Sequence, residues 1–281
     1  MTAAAVFGGD MLGVDVSTDM CAFLRPEDLQ DLGAAKIADP QGFARCAIEV
    51  AAPAGPSTIY AGRFFDVAAK PVKGPPKTLA GGLKEYGGGS ARNCASQVVF
   101  PDNVGLRVYA TGPADPCPLV RRAIDAMIGR FDDGTAPPRP VPANSLERLD
   151  ACSLLPADVS KAVPGASPGR EPQLDRHICS SGPSFRAYGV LALVVGYPPA
   201  AGGASVGEVI AGRQTVVATR PRADGGKFYC EARTSVRPLD NKDLPGAMEY
   251  AVAEVGWFTE PEDCSAAKAL AGMLWPALPP V

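Results

Sequence analysis

Asp19-Met20-Cys21-Ala22-Phe23-Leu24, followed by Pro26 and Asp28-Leu29, returns in altered form as Asp150-Ala151-Cys152-Ser153-Leu154-Leu155, followed by Pro156 and Asp158-Val159. A second echo lies further along. Asp115-Pro116-Cys117-Pro118-Leu119 opens one helical run, and Glu262-Asp263-Cys264-Ser265-Ala266 opens another. The 8 cysteines thus fall into two sets with matching surroundings: Cys21, Cys46, Cys94 and Cys117, then Cys152, Cys179, Cys230 and Cys264. A chain that repeats itself at this scale is two copies of one domain. Its 281 residues are enough for each copy to bury its own core.

Between the copies, Thr135-Ala136-Pro137-Pro138-Arg139-Pro140-Val141-Pro142 reads as a stiff, extended linker. The expected layout is a first repeat over 10–131, a Pro-rich linker over 132–144 and a second repeat over 145–281. One order of elements recurs in both. A helix starts near the first cysteine, with Pro26 or Pro156 in its first turn and Glu27-Asp28 or Asp158 favoured at its positive end. A strand carries the second cysteine: Phe43 to Val50 alternates, and Arg176 to Cys179 is a weaker counterpart. An extended element follows at Thr58 to Val67, or Arg186 to Tyr197. Then comes a Gly/Pro-rich excursion, 68–92 or 198–213. A hairpin with the third cysteine on its first strand comes next, Cys94 to Phe100 with Gly105 to Ala110, or Lys227 to Val236 with Met248 to Val255. A helix closes each copy, Pro118 to Phe131 or Ser265 to Leu274. Leu119, Ala123, Met127 and Phe131, with Val120, Ile124 and Ile128, give the first of these a wide apolar face. The expected fold class is α+β: two tandem copies of a helix, four antiparallel strands and a helix, with helices on one sheet face.

Composition narrows the function. With 30 acidic and 27 basic residues the charge is near balance, unlike the basic face of a nucleic-acid binder. The most apolar stretch, Tyr188 to Tyr197, is too short to span a bilayer and reads as a buried strand. Met1 to Asp10 shows no secretory signal. Paired cysteines point to an oxidising compartment, so a leader or anchor is expected upstream of this sequence.

Four cysteines per copy allow three pairings. Consecutive pairing, Cys21–Cys46, Cys94–Cys117, Cys152–Cys179 and Cys230–Cys264, would staple each terminal helix to a strand. The alternative is reduced structural thiols in a cytosolic protein. No close C-x-x-C pair supports a metal site, and none is expected.

Other chemistry-bearing residues have ordinary readings. His177 is the single histidine and reads as a polar strand residue. Gly203-Ala204-Ser205-Val206-Gly207 matches a nucleophile elbow, but Pro198-Pro199 and Gly202 interrupt the strand that motif needs. Gly87-Gly88-Gly89 could cradle a phosphate, yet reads as a flexible loop. Asp132-Asp133 reads as a helix exit. Arg121-Arg122 reads as a solvated helix face, and Trp257 and Trp275 as packing.

The Asp-x-Cys-x-Leu-Leu opening, the Asp-Leu that follows, two Cys-bearing strands and a final Cys-initiated helix together resemble an actinobacterial extracytoplasmic domain. That domain occurs in secreted lipoproteins, and a similar layout is found in the sensor domains of receptor-type serine/threonine kinases. The resemblance implies an α+β domain with two disulfides, displayed at the cell envelope and binding a ligand or partner. It implies no catalytic residues.

The expected function is therefore a non-enzymatic ligand-binding or sensor module, secreted or anchored to the outer face of the cytoplasmic membrane. It would need no cofactor and no nucleic acid. Its partner would be a small molecule or an envelope component, and it would reach the membrane only through an upstream anchor. The alternatives are a structural or inhibitory envelope protein, and a hydrolase using Ser205 and His177. Binding is expected in a groove between the copies or beside the excursions. Lys70, Lys73, Lys77 and Lys84 make the first excursion basic.

Overall fold

A computed structural model describes residues 20–38, 42–43, 45–66, 74–90, 92–100, 103–133, 141–172, 176–182, 187–198, 205–221, 228–257 and 264–280. The chain divides after Pro140 into two compact units. Pro137, Pro138 and Pro140 of the linker lie outside the described residues.

The first unit opens with α1 (Met20–Phe23) and a 3-10 helix over Pro26–Leu32. The strands are β1 (Ala34–Ile37), β2 (Arg45–Ala52), β3 (Gly55–Asp66), β4 (Lys77–Thr78), β5 (Lys84–Ser90), β6 (Asn93–Val99) and β7 (Val104–Thr111). Helix α2 (Cys117–Asp133) closes the unit. The second unit repeats the plan: α3 (Ala151–Leu154), β8 (Ser167–Pro172), β9 (Ile178–Gly182), β10 (Ala187–Gly196), β11 (Ser205–Ile210), β12 (Arg213–Pro221), β13 (Phe228–Pro238), β14 (Met248–Trp257) and α4 (Ser265–Leu274).

Each unit forms one 7-stranded antiparallel sheet, ordered β1-β2-β3-β7-β6-β5-β4 and β8-β9-β10-β14-β13-β12-β11. Position by position the two orders are identical, so the duplication legible in the cysteine contexts is a duplication of topology. The four expected strands are the β2, β3, β6 and β7 positions. Three more were not expected in each unit. They are an outer strand beside β2 or β9, and a pair, β4 with β5 or β11 with β12, built largely from the Gly/Pro-rich excursions. The opening helix is also shorter than expected. It stops after one turn and resumes as 3-10 at Pro26, or as turns around Val159. Pro has no N–H to continue the ladder, so it restarts a helix rather than extending one.

Helices cover one face of each sheet. Leu119, Val120, Ala123, Ile124, Met127 and Ile128 of α2 are buried against β6 and β7. Leu270, Ala271 and Leu274 of α4 are buried against β13 and β14. Strand β10 shows the resulting alternation, with Leu191, Leu193 and Val195 buried and Val190, Ala192 and Val194 half-buried. On the opposite face Tyr60 stacks on its cross-strand partner Tyr109 at 4.7 Å, and Tyr188 lies over Gly256, where any Cβ would meet its ring.

Four disulfides join Cys21–Cys46, Cys94–Cys117, Cys152–Cys179 and Cys230–Cys264. Each ties a segment that begins or ends a unit to a strand inside that unit. Such bonds persist in oxidising compartments. Among the described residues no helix is long and apolar enough to cross a membrane.

Candidate functional site

The glycine run Gly87–Gly89 lies in β5, not in a loop as expected from its composition. The reason is what faces it. A Cβ on Gly89 would sit 2.5 Å from Cys117 Sγ and 3.0 Å from Cys94 Sγ. A Cβ on Gly87 would sit 2.7 Å from Ser96 Oγ. A side chain at either position would have to displace a sulfur or the Ser96 hydroxyl. Beside them Pro75, Gly87, Gly88 and the start of α2 border a cleft of about 280 Å³.

Its floor is the Cys94–Cys117 disulfide, Ala95 and Val120; its rim carries Lys77, Glu85, Ser96 and Arg121. Ser96 is 2% exposed and donates its hydroxyl to Glu85 Oε1 at 2.7 Å. Lys77, opposite Glu85 in the β4–β5 register, approaches the same carboxylate at 3.7 Å. Arg121 is exposed on the first turns of α2. The rim therefore holds two cations and one carboxylate that is already engaged. A polar or anionic group entering here meets Lys77 and Arg121, while apolar atoms meet Val120, Ala95 and the disulfide.

The second unit treats the same place differently. The register Gly89↔Cys94 corresponds to Thr219↔Cys230, and Gly87↔Ser96 to Val217↔Ala232. Thr219 Oγ1 lies 3.3 Å from Cys264 Sγ and 3.7 Å from Cys230 Sγ, so a side chain packs on the second disulfide where Gly89 lets the backbone of β5 lie directly against the first. Lys268 of α4 reaches Glu208 of β11 at 2.7 Å across the same edge.

Of the four lysines expected to mark a binding surface, Lys77 lines the cleft and Lys84 is exposed at the start of β5. Lys70 and Lys73 lie outside the described residues. Glu85, Ser96 and Arg121 were not singled out as site residues by the sequence. The signal that could have found them is the glycine run beside a cysteine-bearing strand.

The structure does not bring Ser205 and His177 together. Ser205 is exposed and opens edge strand β11, which continues from it to a turn at Ala211, so no helix leaves it. His177 directly precedes β9, five strand positions away, or about 24 Å. It is 2% exposed, and its Nε2–H donates to the Glu147 carbonyl at 3.0 Å. Trp275 is fully buried and donates its indole N–H to Thr215 Oγ1 at 3.0 Å. Asp132-Asp133 ends α2, and among the described residues no cluster could hold a metal ion.

Neither a family model nor a curated protein matches the chain. Among solved structures, the crystal structure of the di-domain ARO/CYC StfQ from the steffimycin biosynthetic pathway is 12% identical over 96% of this chain and 87% of that one, with a TM-score of 0.18. A likeness at that score carries no argument.

Proposed function

We propose that the chain is an extracytoplasmic, non-enzymatic ligand-binding or sensor module of the cell envelope. Its first unit holds a small polar or anionic ligand, and its second is a scaffold of the same fold. One observation carries this reading. A cleft beside the first disulfide is bordered by Gly87, Gly88, Lys77 and Arg121, and the strand positions of Gly87 and Gly89 are taken in the second unit by Val217 and Thr219. Two copies on one topology that differ at this place divide binding from support. The four disulfides and the resemblance of the cysteine contexts to envelope sensor domains support the location.

Thermal unfolding with inorganic phosphate and with succinate tests the reading. At roughly tenfold excess over Kd, either anion should raise Tm by about 4 °C. Arg121→Ala should lose that rise while keeping the unliganded Tm. If neither anion shifts Tm, or if Arg121→Ala responds like the parent chain, the cleft does not bind small anions.

A further inference from the structure

Among the described residues strand β11 ends the second sheet and is paired on one side only, to β12. An edge of this kind presents unpaired backbone groups, and proteins usually blunt it with a very short strand, a lysine, a proline or a bulge. The first unit does so: its matching edge, β4, is two residues long and carries Lys77. Strand β11 has no lysine, proline or bulge, and its one charge, Glu208, is already paired to Lys268. It runs over Ser205-Val206-Gly207-Glu208-Val209-Ile210 in unbroken register with β12. Val206 is 63% exposed and Val209 61%, the two most exposed large apolar side chains among the described residues.

We infer that β11 pairs with β11 of a second copy of this chain, antiparallel about a two-fold axis, and joins two second-unit sheets into one. The strand's chemistry suits a copy of itself. Its one charged side chain, Glu208, is matched within the unit by Lys268 at 2.7 Å, so two such edges meet without net repulsion. In an antiparallel two-fold pair, faces are preserved, so the axis must pass through one residue opposite its own copy. Centring on Glu208 would set like charges directly opposite, which is unfavourable. Centring on Gly207 sets glycine against glycine, Val206 against the aliphatic part of Glu208, and Val209 against Ser205. Val206 then also meets its own copy diagonally. No heavy atom of the described residues lies within 4 Å of where a Gly207 Cβ would be, so there is room on that face of the strand.

A six-residue edge buries less than a standard interface, so the dimer is weak and concentration-dependent. Sedimentation of the full chain from about 5 to about 500 µM brackets that regime and should show a reversible monomer–dimer equilibrium. Val206→Glu should weaken it at least about tenfold, since it sets a carboxylate opposite Glu208 of the second copy and diagonal to its own copy. Met273→Glu, which adds the same charge on α4 at a residue 41% exposed, should not. Gly207→Cys tests the register without disturbing the strand. Under mild oxidation it should cross-link into a dimer faster than Val209→Cys, whose partner is Ser205. A chain that stays monomeric throughout the range overturns the proposal. So does a dimer indifferent to Val206→Glu, or equal cross-linking by the two cysteine variants.

Discussion

Asp28 and Asp158 hold the same place in the repeated motif and have diverged in what they do. Asp158 is exposed and accepts the Ser160 N–H at 2.9 Å, a local cap whose hydrogen bonds lower its pKa. Asp28 accepts the Arg25 N–H at 2.8 Å, and Arg130 of α2 donates to both its oxygens at 2.6 Å. The same guanidinium donates to the Phe23 carbonyl at 2.8 Å, so one side chain ties the opening segment to the closing helix. Burial pushes the Asp28 carboxyl up. The hydrogen bonds from Arg130 and Arg25, with the charges of both, outweigh it and leave the pKa below its ordinary value. The contribution to stability is therefore complete above the unfolded value of about 3.9 and is lost as pH falls through the lowered folded value. Asp28→Asn should cost about 1–3 kcal/mol near neutral pH. That cost should shrink as pH drops below about 4. Urea unfolding of both proteins between about pH 7 and pH 3 measures it. Parallel stability curves across that range would show that the pair does not titrate with folding.

At the scale of elements, what was legible was what alternates or repeats. Cys46 to Val50 and the β6–β7 hairpin alternate, and the spacing of Leu119, Ala123 and Met127 marks a helix face. The cysteine contexts gave the repeat itself. The edge strands were not legible, because their pairing is decided by neighbours distant in sequence. Gly87-Gly88-Gly89 has the composition of a loop and low strand propensity, yet it is a strand because the disulfide and Ser96 leave no room for side chains. The cleft was illegible for the same reason, although its lysine, Lys77, was identified. Gly89→Ala should therefore destabilise the first unit by about 1–3 kcal/mol, since neither sulfur can move without straining a crosslink. Gly88→Ala, where no atom lies within 4 Å of the new Cβ, should be close to neutral or slightly stabilising. Thermal unfolding of the pair separates the two effects. Equal Tm values would mean that β5 tolerates a side chain over the disulfide.

At the scale of the molecule, each unit carries its own sheet and its own two disulfides, and the question is where the second begins. The repeated motif begins at Asp150, whereas the end of the Pro-rich linker sets the start at residue 145. A buried charge bears on the choice. Glu249 of β14 is 1% exposed and sits 3.5 Å from Arg237. Its carboxylate accepts the Ser145 hydroxyl at 2.9 Å and the Leu146 N–H at 2.7 Å. Ser145 in turn caps the short 3-10 helix Leu146–Arg148, accepting the Glu147 N–H at 3.1 Å. The Glu147 carbonyl of that turn receives the buried His177, and Leu146 is fully buried. Residues 145–149 are thus part of the second core, although nothing in their sequence alternates or repeats. A buried carboxylate that loses hydrogen-bond donors retains most of its desolvation cost. A fragment of residues 141–281 should therefore fold alone, form both disulfides and unfold cooperatively. A fragment of residues 150–281 should be less stable by about 2–4 kcal/mol, because Glu249 keeps its burial and loses Ser145 and Leu146. Replacing Glu249 and its partner Arg237 together, by Gln and Met, in the shorter fragment should recover part of that loss. Chemical denaturation of the three proteins decides it. Equal stability of the two fragments would show that the unit begins at the motif and that the buried network is incidental.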